Sequence, residues 1–371
     1  MKRVLIIGGG FAGCTALERL SRYPKEVMVT LVDRKKEFNF LPLLPDLIGR
    51  GLKPQYLTLD IESLVTRKGF CFVRGEVVSI DIAAKTVSTG TTQLPYDYLL
   101  IASGSETNFY GNEEFKAAAY KIDEAADMEK IIAALKDKKY TTVVISGGGY
   151  TGIEVATNLV SYCRQAGKHK KIVIVESAPS LLGMFPQGVR NDTQKNLKRL
   201  GIEVLLGCTV LKATGSTLHI SNGKVFDEVL FIWTAGVKTA LFVEQLPFEK
   251  NRQGRLKVDA YLRVQGDIFA AGDASAFFYR GNPLRMAVQF SILQGRVAAE
   301  NMLRRMRNAP LKEFKPVDLG YIIPMANNRS CGMVMGIYVK GILATLLHYL
   351  MCLYRLPTLR NKLGLMRTLR I

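Results

Sequence analysis

The sequence has few of the residues from which local metal and redox sites are usually built. Its six cysteines are scattered, and even the two nearest neighbours, Cys331 and Cys352, are far too distant along the chain for a CxxC pair. Neither a zinc ribbon nor a local redox disulfide can therefore form from sequence neighbours, and we expect no metal site. Scattered thiols are typical of a reducing compartment.

The sequence also has no apolar run that could cross a membrane. The uncharged apolar segment near its end, residues 341–354, is shorter than the roughly 18–20 residues that a transmembrane helix needs. The apolar run that follows Lys2 and Arg3 covers only residues 4–7, too few for the core of a secretion signal. We therefore expect neither a transmembrane helix nor a signal peptide.

Acidic residues are outnumbered, and they stop well before the end of the chain. There are 51 Lys and Arg residues against 32 Asp and Glu, a formal net charge of +19. Such a field favours anionic partners, namely nucleotides, nucleic acid or an acidic lipid surface. No nucleic-acid recognition motif accompanies the charge, so nucleic acid is not expected. After Asp318, the last acid, the charged residues are Arg329, Lys340, Arg355, Arg360, Lys362, Arg367 and Arg370.

Glycine is abundant, and it occurs first in a complete dinucleotide-binding pattern. An apolar strand at residues 4–7 leads into a GxGxxG motif and a helix, and a second strand at residues 27–32 ends in Asp33. The motif reads Gly8-Gly9-Gly10-Phe11-Ala12-Gly13. Its first glycine permits a tight turn, its second lets a pyrophosphate approach the backbone, and its third lets the helix pack on the strand. The pyrophosphate would lie at the helix N-terminus and Asp33 would bind the ribose hydroxyls.

The same pattern recurs in the middle of the chain. A strand at residues 142–146 leads into Gly147-Gly148-Gly149-Tyr150-Thr151-Gly152, and the strand after the next helix ends in Glu176. Two complete units in one chain predict two dinucleotides bound at once; glycine turns that serve packing alone are the alternative. Because a 2′-phosphate would face the carboxylate of Glu176, this unit favours NADH over NADPH.

Three later strands end in residues that could also contact a cofactor. Two of them run into glycine crossovers, one behind each unit, at Ala102-Ser103-Gly104 and at Ala235-Gly236. A third ends in Gly272-Asp273, where the carboxylate could reach the polyol of a cofactor. Alternatively, Asp273 is only the N-cap of a helix that begins at Ala274.

Together these features resemble the two-dinucleotide-binding-domain flavoproteins, and most closely the type II (non-proton-pumping) NADH dehydrogenases. Two residues depart from the family pattern: Tyr150 stands where the family usually has proline, and Leu293 replaces a glutamine. The matching segments are Asp33-Arg34 with Pro42-Leu43-Leu44, Gly104-Ser105-Glu106-Thr107-Asn108, Gly147 to Glu154, Trp233-Thr234-Ala235-Gly236-Val237, Val258-Asp259 with Leu262, Ala271-Gly272-Asp273, and Gln289 with Gln294-Gly295.

The resemblance implies an α/β fold of two Rossmann-like dinucleotide-binding domains, the second inserted in the first, with a C-terminal membrane-associating helical tail. The expected segments are 1–108 and 241–320 for FAD, 109–240 for NAD(H), and 321–371 for the basic tail. The implied FAD-binding residues are Gly8, Gly10, Phe11, Ala12, Gly13, Asp33, Arg34, Ala102, Ser103, Gly104, Gly272 and Asp273. The implied NADH-binding residues are Gly149, Tyr150, Thr151, Gly152, Glu176, Ala235 and Gly236.

The implied activity is hydride transfer from NADH to FAD, followed by electron transfer to a membrane quinone. Glu154 would contact the nicotinamide or relay protons toward the quinone; otherwise it is an acid that stabilises a helix N-terminus. Gln289 and Gln294, on a helix expected at residues 286–302, would face the quinone, with a polar surface helix as the alternative. The three histidines, His169, His219 and His348, lie outside the cofactor motifs, and we expect surface or packing roles for them.

The tail combines the apolar segment at residues 341–354, a break at Pro357 and five following or flanking cations. This combination suits a helix lying in an anionic lipid interface, which implies a peripheral protein on the cytoplasmic face of the membrane. A helix docked on the chain's own core or on a second subunit is the alternative, and a homodimer is left open.

Two other functions compete with the leading interpretation. A sulfide:quinone oxidoreductase would work through cysteines near the flavin, and Cys163 with Cys331 is the only pair that could serve. A redox-sensing flavoprotein similar to the apoptosis-inducing ones would instead couple slow reduction by NADH to assembly, with its basic surface bound to a polyanion.

Overall fold

The computed structural model describes the whole chain, Met1–Ile371, as an α/β protein. Three single-turn 3-10 helices cover Leu41–Leu43, Pro54–Tyr56 and Gly272–Ala274. The α-helices are α1 (Phe11–Leu20), α2 (Asp46–Gly49), α3 (Ile61–Thr66), α4 (Glu113–Ala118), α5 (Ala125–Lys136), α6 (Tyr150–Gln165), α7 (Gln187–Arg199), α8 (Leu241–Gln245), α9 (Val288–Met306), α10 (Ile342–Arg355) and α11 (Leu359–Thr368).

The strands are short outside the two central sheets. In chain order they are β1 (Lys2–Ile7), β2 (Val27–Asp33), β3 (Glu37–Asn39), β4 (Thr58–Asp60), β5 (Cys71–Arg74), β6 (Ser79–Asp81), β7 (Thr86–Ser88), β8 (Gln93–Pro95), β9 (Tyr98–Ile101), β10 (Glu106–Thr107), β11 (Thr142–Ser146), β12 (Lys171–Glu176), β13 (Glu203–Leu206), β14 (Val210–Thr214), β15 (Thr217–Ile220), β16 (Val225–Phe226), β17 (Val229–Trp233), β18 (Val237–Lys238), β19 (Leu256–Lys257), β20 (Arg263–Gln265), β21 (Ile268–Ala270), β22 (Ser275–Ala276), β23 (Phe278–Tyr279), β24 (Asn282–Pro283), β25 (Gly320–Ile323), β26 (Cys331–Val334) and β27 (Ile337–Lys340).

The chain divides into two compact units, each made of three segments. Unit 1 comprises Met1–Phe38, Leu59–Glu106 and Val237–Asp318, and unit 2 comprises Asn39–Thr58, Thr107–Gly236 and Leu319–Ile371. The sequence had indicated a first domain that includes residues 39–58 and a separate tail; in the structure both segments belong to unit 2. The physical reason is packing, because α2 lies against α6 and α11 lies against the Pro54–Tyr56 turn.

Unit 1 is organised around a six-stranded sheet of order β20-β21-β9-β1-β2-β5. Its strands are parallel except for β20, which runs antiparallel to β21. All four residues of β9 are buried, as expected for a parallel strand covered on both faces. Alternate residues of the central strands, such as Leu5, Ile7, Leu99 and Ile101, share one core with Phe242 of α8.

Unit 2 is organised around a four-stranded parallel sheet of order β13-β12-β11-β17. Val144, Val173 and Phe231 contribute to a core that also contains the three-stranded antiparallel sheet β14-β15-β16. The single tryptophan, Trp233, belongs to this core: its ring centroid lies 5.3 Å from that of Phe115. Its indole N–H donates to the carbonyl oxygen of Asn108 at 2.9 Å, so this tryptophan serves packing within the core.

The tail is an ordered part of unit 2. Helix α10 buries one face, formed by Ala344, Thr345, His348, Tyr349 and Cys352, and the Thr345 and Ser330 hydroxyls are hydrogen-bonded at 2.7 Å. The opposite face remains exposed. None of the helices has both the length and the apolar character that a bilayer crossing requires.

Helices α1 and α9 of unit 1 pack against each other, and a glycine makes this contact geometrically feasible. A Cβ atom on Gly295 of α9 would lie 2.2 Å from the carbonyl oxygen of Ala12 in α1. The neighbouring Ala298 and Ala299 are also small and fully buried. Any larger side chain at residue 295 would therefore force the two helices apart.

We expect Gly295→Ala to destabilise the protein by about 1–3 kcal/mol, the usual range for overpacking a tight contact. Gly188→Ala in α7 is the matched control: its Cβ would meet nothing closer than a Tyr338 ring atom at 3.9 Å. That change should be neutral or stabilising by up to about 1 kcal/mol, because alanine is the better helix former. Thermal and urea denaturation of both variants checks this, and equal effects would contradict the packing argument.

Candidate functional site

The first nucleotide cradle is formed where β1 meets α1. Each of the three motif glycines lacks a side chain there for a different structural reason. Gly8 has a φ of +102°, and a Cβ there would lie 2.3 Å from the carbonyl oxygen of Ala102. A Cβ on Gly13 would lie 1.8 Å from the carbonyl oxygen of Gly8. Gly10, by contrast, faces open space, with no atom within 4 Å of a Cβ position. That space adjoins the N-terminus of α1, which no side chain caps, so an anion can approach the backbone there.

Asp33 closes this cradle through the backbone. Its Oδ2 accepts from the Gly9 N–H at 2.6 Å and its Oδ1 accepts from the Lys35 N–H at 2.7 Å. A carboxylate offers about four acceptor positions, so ribose hydroxyls can still donate to it. Asp33 therefore combines a loop-supporting role with the predicted nucleotide-binding one.

A cavity of about 390 Å³ opens beside Gly8 and Asp33. Arg34 lines it and pairs with Glu76 at 3.2 Å and Glu106 at 2.9 Å. The Ser103 hydroxyl, on the same cavity wall, is buried without a hydrogen-bond partner. An unpartnered hydroxyl in a cavity of this size, beside an open helix N-terminus, fits an FAD nucleotide.

Asp273 lies in the Gly272–Ala274 turn, and the expectation that it could be a helix N-cap is wrong. A single 3-10 turn occupies this position, its N-cap is Ala271, and α9 begins only at Val288. The carboxylate of Asp273 accepts from the Ser105 hydroxyl at 2.9 Å. Burial raises the pKa of Asp273, and the nearby Arg255 guanidinium partly offsets this effect. The position is compatible with contact to the polyol of a flavin.

The two glutamines of α9 are buried, which contradicts the alternative of a polar surface helix. Gln294 is 2% exposed and Gln289 is 7% exposed. The amide oxygen of Gln294 accepts from the Gly272 N–H at 2.7 Å and from the Ser275 hydroxyl at 3.0 Å. Gln294 thus holds the Asp273 turn in place, whereas the side-chain amide of Gln289 donates to Asp318 at 3.1 Å.

The second cradle, in unit 2, repeats the geometry of the first. A Cβ on Gly152 would lie 2.0 Å from the carbonyl oxygen of Gly147, and Gly149 faces open space. The Oε2 of Glu176 accepts from the Gly148 N–H at 2.6 Å, and its Oε1 accepts from the Ala178 N–H at 2.7 Å. The same pattern of close backbone packing, an open helix start and an acid on the loop therefore occurs in both units.

The remaining predicted residues of this cradle surround the start of α6. Tyr150 and Thr151 form its first turn, and the Tyr150 hydroxyl donates to the carbonyl oxygen of Ile322 at 2.5 Å. Ala235 and Gly236 follow β17, and Gly236 has a φ of +99° beside the Tyr110 hydroxyl. These predicted residues do lie at one end of the sheet of unit 2.

Glu154 lies in the second turn of α6 and is 5% exposed. Its backbone carbonyl accepts from Thr157 and Asn158. Burial raises the pKa of Glu154 well above its usual range, and the charge of Asp46 raises it further. The shift favours the protonated, uncharged carboxyl group, which argues against the alternative of an ionised acid that stabilises the helix N-terminus.

Sequence reasoning missed the polar groups that surround Glu154. Asp46 and Arg50, both almost fully buried, come from the segment 39–58, and Tyr349 comes from the tail. The available signal was small: Asp46 is the only acid in an otherwise apolar stretch, residues 40–49. Nothing in the sequence indicates that this stretch packs on α6.

The chain is similar to known proteins over most of its length. The chain is 28% identical to the type II NADH:quinone oxidoreductase of Staphylococcus saprophyticus, over 92% of this chain and 91% of that one. It is 28% identical to the demethylphylloquinone reductase NdbB of Synechocystis, over 97% and 94% of the two chains. The solved structure of NDH2 from Plasmodium falciparum in complex with NADH matches with a TM-score of 0.85 and 20% identity, covering 99% of this chain and 97% of that one.

A sequence profile assigns the family itself. The profile of the pyridine nucleotide-disulphide oxidoreductases matches residues 2–299, which include both glycine loops, both loop-closing acids and the Asp273 turn. The agreement between this long match and the duplicated cradle shows that the chain belongs to the pyridine nucleotide-disulphide oxidoreductase family.

Proposed function

We propose that the protein is an FAD-dependent NADH:quinone oxidoreductase. The observation that carries this proposal is the duplicated nucleotide cradle, closed by Asp33 in unit 1 and by Glu176 in unit 2. Relatives named type II NADH:quinone oxidoreductase and demethylphylloquinone reductase support a quinone as the electron acceptor. Their similarity extends over more than nine-tenths of this chain.

In this proposal FAD is held by the cradle of unit 1. The redox chemistry belongs to FAD, which can take up hydride from a nicotinamide and return two electrons to an acceptor. Gly10 and the N-terminus of α1 would receive the pyrophosphate, Asp33 the ribose hydroxyls and Ser103 a further polar group. Asp273 would bind the polyol, and Gln294 would position it through the Gly272 N–H.

The cradle of unit 2 would bind NADH. Glu176 presents a carboxylate where NADPH carries its 2′-phosphate, so the two negative charges repel each other. Tyr150, Thr151, Ala235 and Gly236 complete the cradle.

Glu154 is proposed to supply a proton. The balance NADH + H⁺ + quinone → NAD⁺ + quinol requires one proton beyond the hydride in each turnover. A buried carboxyl group whose raised pKa favours the protonated form can provide it. Gln289 is proposed to face the acceptor, and Gln294 is a positioning residue.

The structure offers no support for cysteine chemistry of the sulfide:quinone type. All six cysteines are free thiols. Cys163 lies on α6, and Cys331 contacts Thr193 at 3.5 Å. Burial raises the pKa of both thiols, which suppresses the nucleophilic thiolate form.

Anaerobic rapid mixing of the purified protein with NADH, NADPH or sulfide, followed by a short-chain quinone, tests the function. Flavin bleaching by NADH, with colour restored by quinone, is the expected result. Bleaching by sulfide would favour the sulfide:quinone reaction. Slow bleaching that quinone does not reverse would favour a redox sensor and overturn the proposed function.

The tail is proposed to hold the protein on the cytoplasmic face of a membrane. Exposed apolar residues line one side of α10 and one side of α11. Cations flank these residues, and each cation can contribute about 1 kcal/mol of attraction to anionic lipid. The apolar residues are Ile342, Leu343, Leu346, Leu350 and Tyr354 on α10, and Leu359, Leu363 and Met366 on α11. The cations are Arg355, Arg360, Lys362, Arg367 and Arg370.

Leu346→Asp combined with Leu350→Asp should weaken binding to anionic vesicles by at least roughly tenfold, because each leucine contributes about 1.5–3 kcal/mol when buried. Leu211→Asp is the control, since Leu211 is at least as exposed as either tail leucine but lies on β14. Vesicle co-sedimentation measures both variants. Undiminished binding of the double variant would exclude the tail as the lipid-binding surface.

Gly10→Ala should abolish flavin binding but leave the fold intact, because its Cβ meets no protein atom yet fills the space available to a pyrophosphate. Gly149→Ala is the reciprocal variant, and it should retain flavin but bind NADH at least roughly tenfold more weakly, a loss of about 1.4 kcal/mol. Flavin absorbance and NADH titration distinguish the two variants. Retention of flavin by Gly10→Ala would contradict the assignment of FAD to unit 1.

Glu176→Ala should lower the ratio of kcat/KM for NADH to that for NADPH by roughly tenfold or more, since juxtaposed like charges are costly. Glu176→Gln, which removes the charge but keeps an oxygen acceptor for the loop, should change the ratio in the same direction. Steady-state kinetics with both coenzymes measures the effect. An unchanged ratio in both variants would remove Glu176 from coenzyme selection.

A further inference from the structure

A second buried acid lies beside α6, and the proposed function does not account for it. Asp46 is the first residue of α2 and is 4% exposed. Glu154 on α6 is 5% exposed. Two acids buried in one neighbourhood are expensive unless the arrangement keeps at most one of them ionised.

Hydrogen bonds place Asp46 on the same face of α6 as Glu154. The Asn158 side-chain amide donates to Asp46 Oδ1 at 3.2 Å and to the backbone carbonyl of Glu154 at 3.0 Å. Asn158 is one helical turn after Glu154, so the two residues share a face. The Tyr349 hydroxyl of α10 donates to the other oxygen, Asp46 Oδ2, at 3.0 Å. Asp46 is therefore fixed between α6 and α10.

The environment distinguishes the two carboxyl groups. Burial raises the pKa of Asp46 to about 6, but Arg50 and the hydrogen bonds from Tyr349 and Asn158 oppose this rise. Asp46 accepts hydrogen bonds from Asn158 and Tyr349, which favour its ionised form, whereas burial and the charge of Asp46 raise the pKa of Glu154 well above its usual range. Of the two acids, Glu154 is therefore the one whose surroundings favour the protonated form.

The other titratable groups nearby do not disturb this distribution. Burial lowers the pKa of His348 to about 3 and raises the pKa of Tyr150, Tyr349 and Cys352, so all four are neutral at pH 7. Helix α5 also packs on α2 but contributes no charge to this set. The groups that face Asp46 or its direct neighbours are Arg50, Tyr150, Glu154, His348, Tyr349, Cys352 and Arg355.

Two buried polar atoms of this cluster have no partner within the chain, the Nε of Arg50 and the Oδ1 of Asn158. The two terminal nitrogens of Arg50 donate hydrogen bonds to the carbonyl oxygens of Arg370 and Met325, at 2.8 and 3.1 Å. Buried polar atoms with remaining hydrogen-bonding capacity are typical binding positions for ordered water. Water at such a position can exchange protons with a neighbouring carboxyl group.

We propose that Asp46 is a positioning residue whose negative charge keeps the transferable proton on Glu154. The inference rests on the proposed quinone reduction, which consumes this proton. The O–H bond of Glu154 breaks and an O–H bond forms on one quinone oxygen, while the two electrons and the second proton of the quinol come from the hydride of NADH. Solvent then returns a proton to the Glu154 carboxylate, and Asp46 remains ionised throughout.

The test compares Asp46→Asn with the wild-type holoenzyme across pH, using two measurements. One is the alkaline limb of NADH:quinone activity; the other is the infrared carbonyl band of protonated Glu154, identified by its loss in Glu154→Gln. Without the charge at residue 46, Glu154 ionises more readily. Both midpoints should therefore move to lower pH by roughly one unit, the scale expected for a neighbouring charge.

Asp127→Asn is the matched control, because Asp127 is also 4% exposed and burial likewise raises its pKa, but it lies on α5. It should leave both midpoints unchanged, and Asp46→Glu, which keeps the charge, should restore them. If Asp46→Asn does not fold, Asp46→Ser is measured in its place.

Identical midpoints for the wild type and the neutral Asp46 variant would overturn the inference. If the wild type fails to reduce quinone with NADH at any pH, the proposed function is wrong. In that case the infrared midpoint alone still decides whether Asp46 keeps the proton on Glu154.

Discussion

Both nucleotide cradles depend on one close contact. It joins the carbonyl oxygen of the glycine that follows a strand to a glycine in the next helix. Gly13 makes this contact with Gly8 in unit 1, and Gly152 makes it with Gly147 in unit 2. Because Gly13 and Gly152 have no side chain that would push the helix away from the loop, each helix starts after a loop of only three residues, Gly8-Gly9-Gly10 or Gly147-Gly148-Gly149. Its free N-terminus and the acid of the adjacent strand then lie at the same edge of the sheet.

The interior of unit 2 obeys a different constraint. Its sheet core is apolar, yet between α2, α6 and α10 it buries two acids, an arginine and several polar side chains. Hydrogen bonds to Asp46 and the charge of Arg50 offset part of the desolvation cost, and the raised pKa of Glu154 disfavours a second buried negative charge. The cluster therefore depends on elements that are distant in sequence, because α2 and α10 must both pack on α6.

Features formed by residues that are adjacent in sequence could be predicted. The strand, glycine loop, helix and terminal acid of each cradle are adjacent in sequence, so Asp33 and Glu176 could be assigned their positions. Residues 39–58 were expected in the first domain, but the packing of α2 on α6 and of α11 on the Pro54–Tyr56 turn places them in unit 2. The hydrogen bond from Tyr349 to Asp46 joins residues 303 positions apart, and no local pattern reports such a contact.

The alternatives for α9 were settled for a similar reason. Spacing along a helix gives the angle between Gln289 and Gln294 but does not say which side faces the core. Gln294 is held in the interior by its hydrogen bonds to Gly272 and Ser275, and α9 approaches α1 closely at Gly295. A glycine inside a predicted helix was the available signal for that approach.

Glu176 has two tasks, and this has a consequence for how coenzyme preference could change during evolution. The carboxylate that would repel a 2′-phosphate also accepts the N–H groups of Gly148 and Ala178. A lineage that exchanged it for alanine would leave both backbone donors of the loop without their acceptor, and glutamine would keep an oxygen for only one of them. A lasting switch to NADPH would therefore need at least a second substitution that supports the loop again, and this requirement makes the present preference difficult to lose in one step.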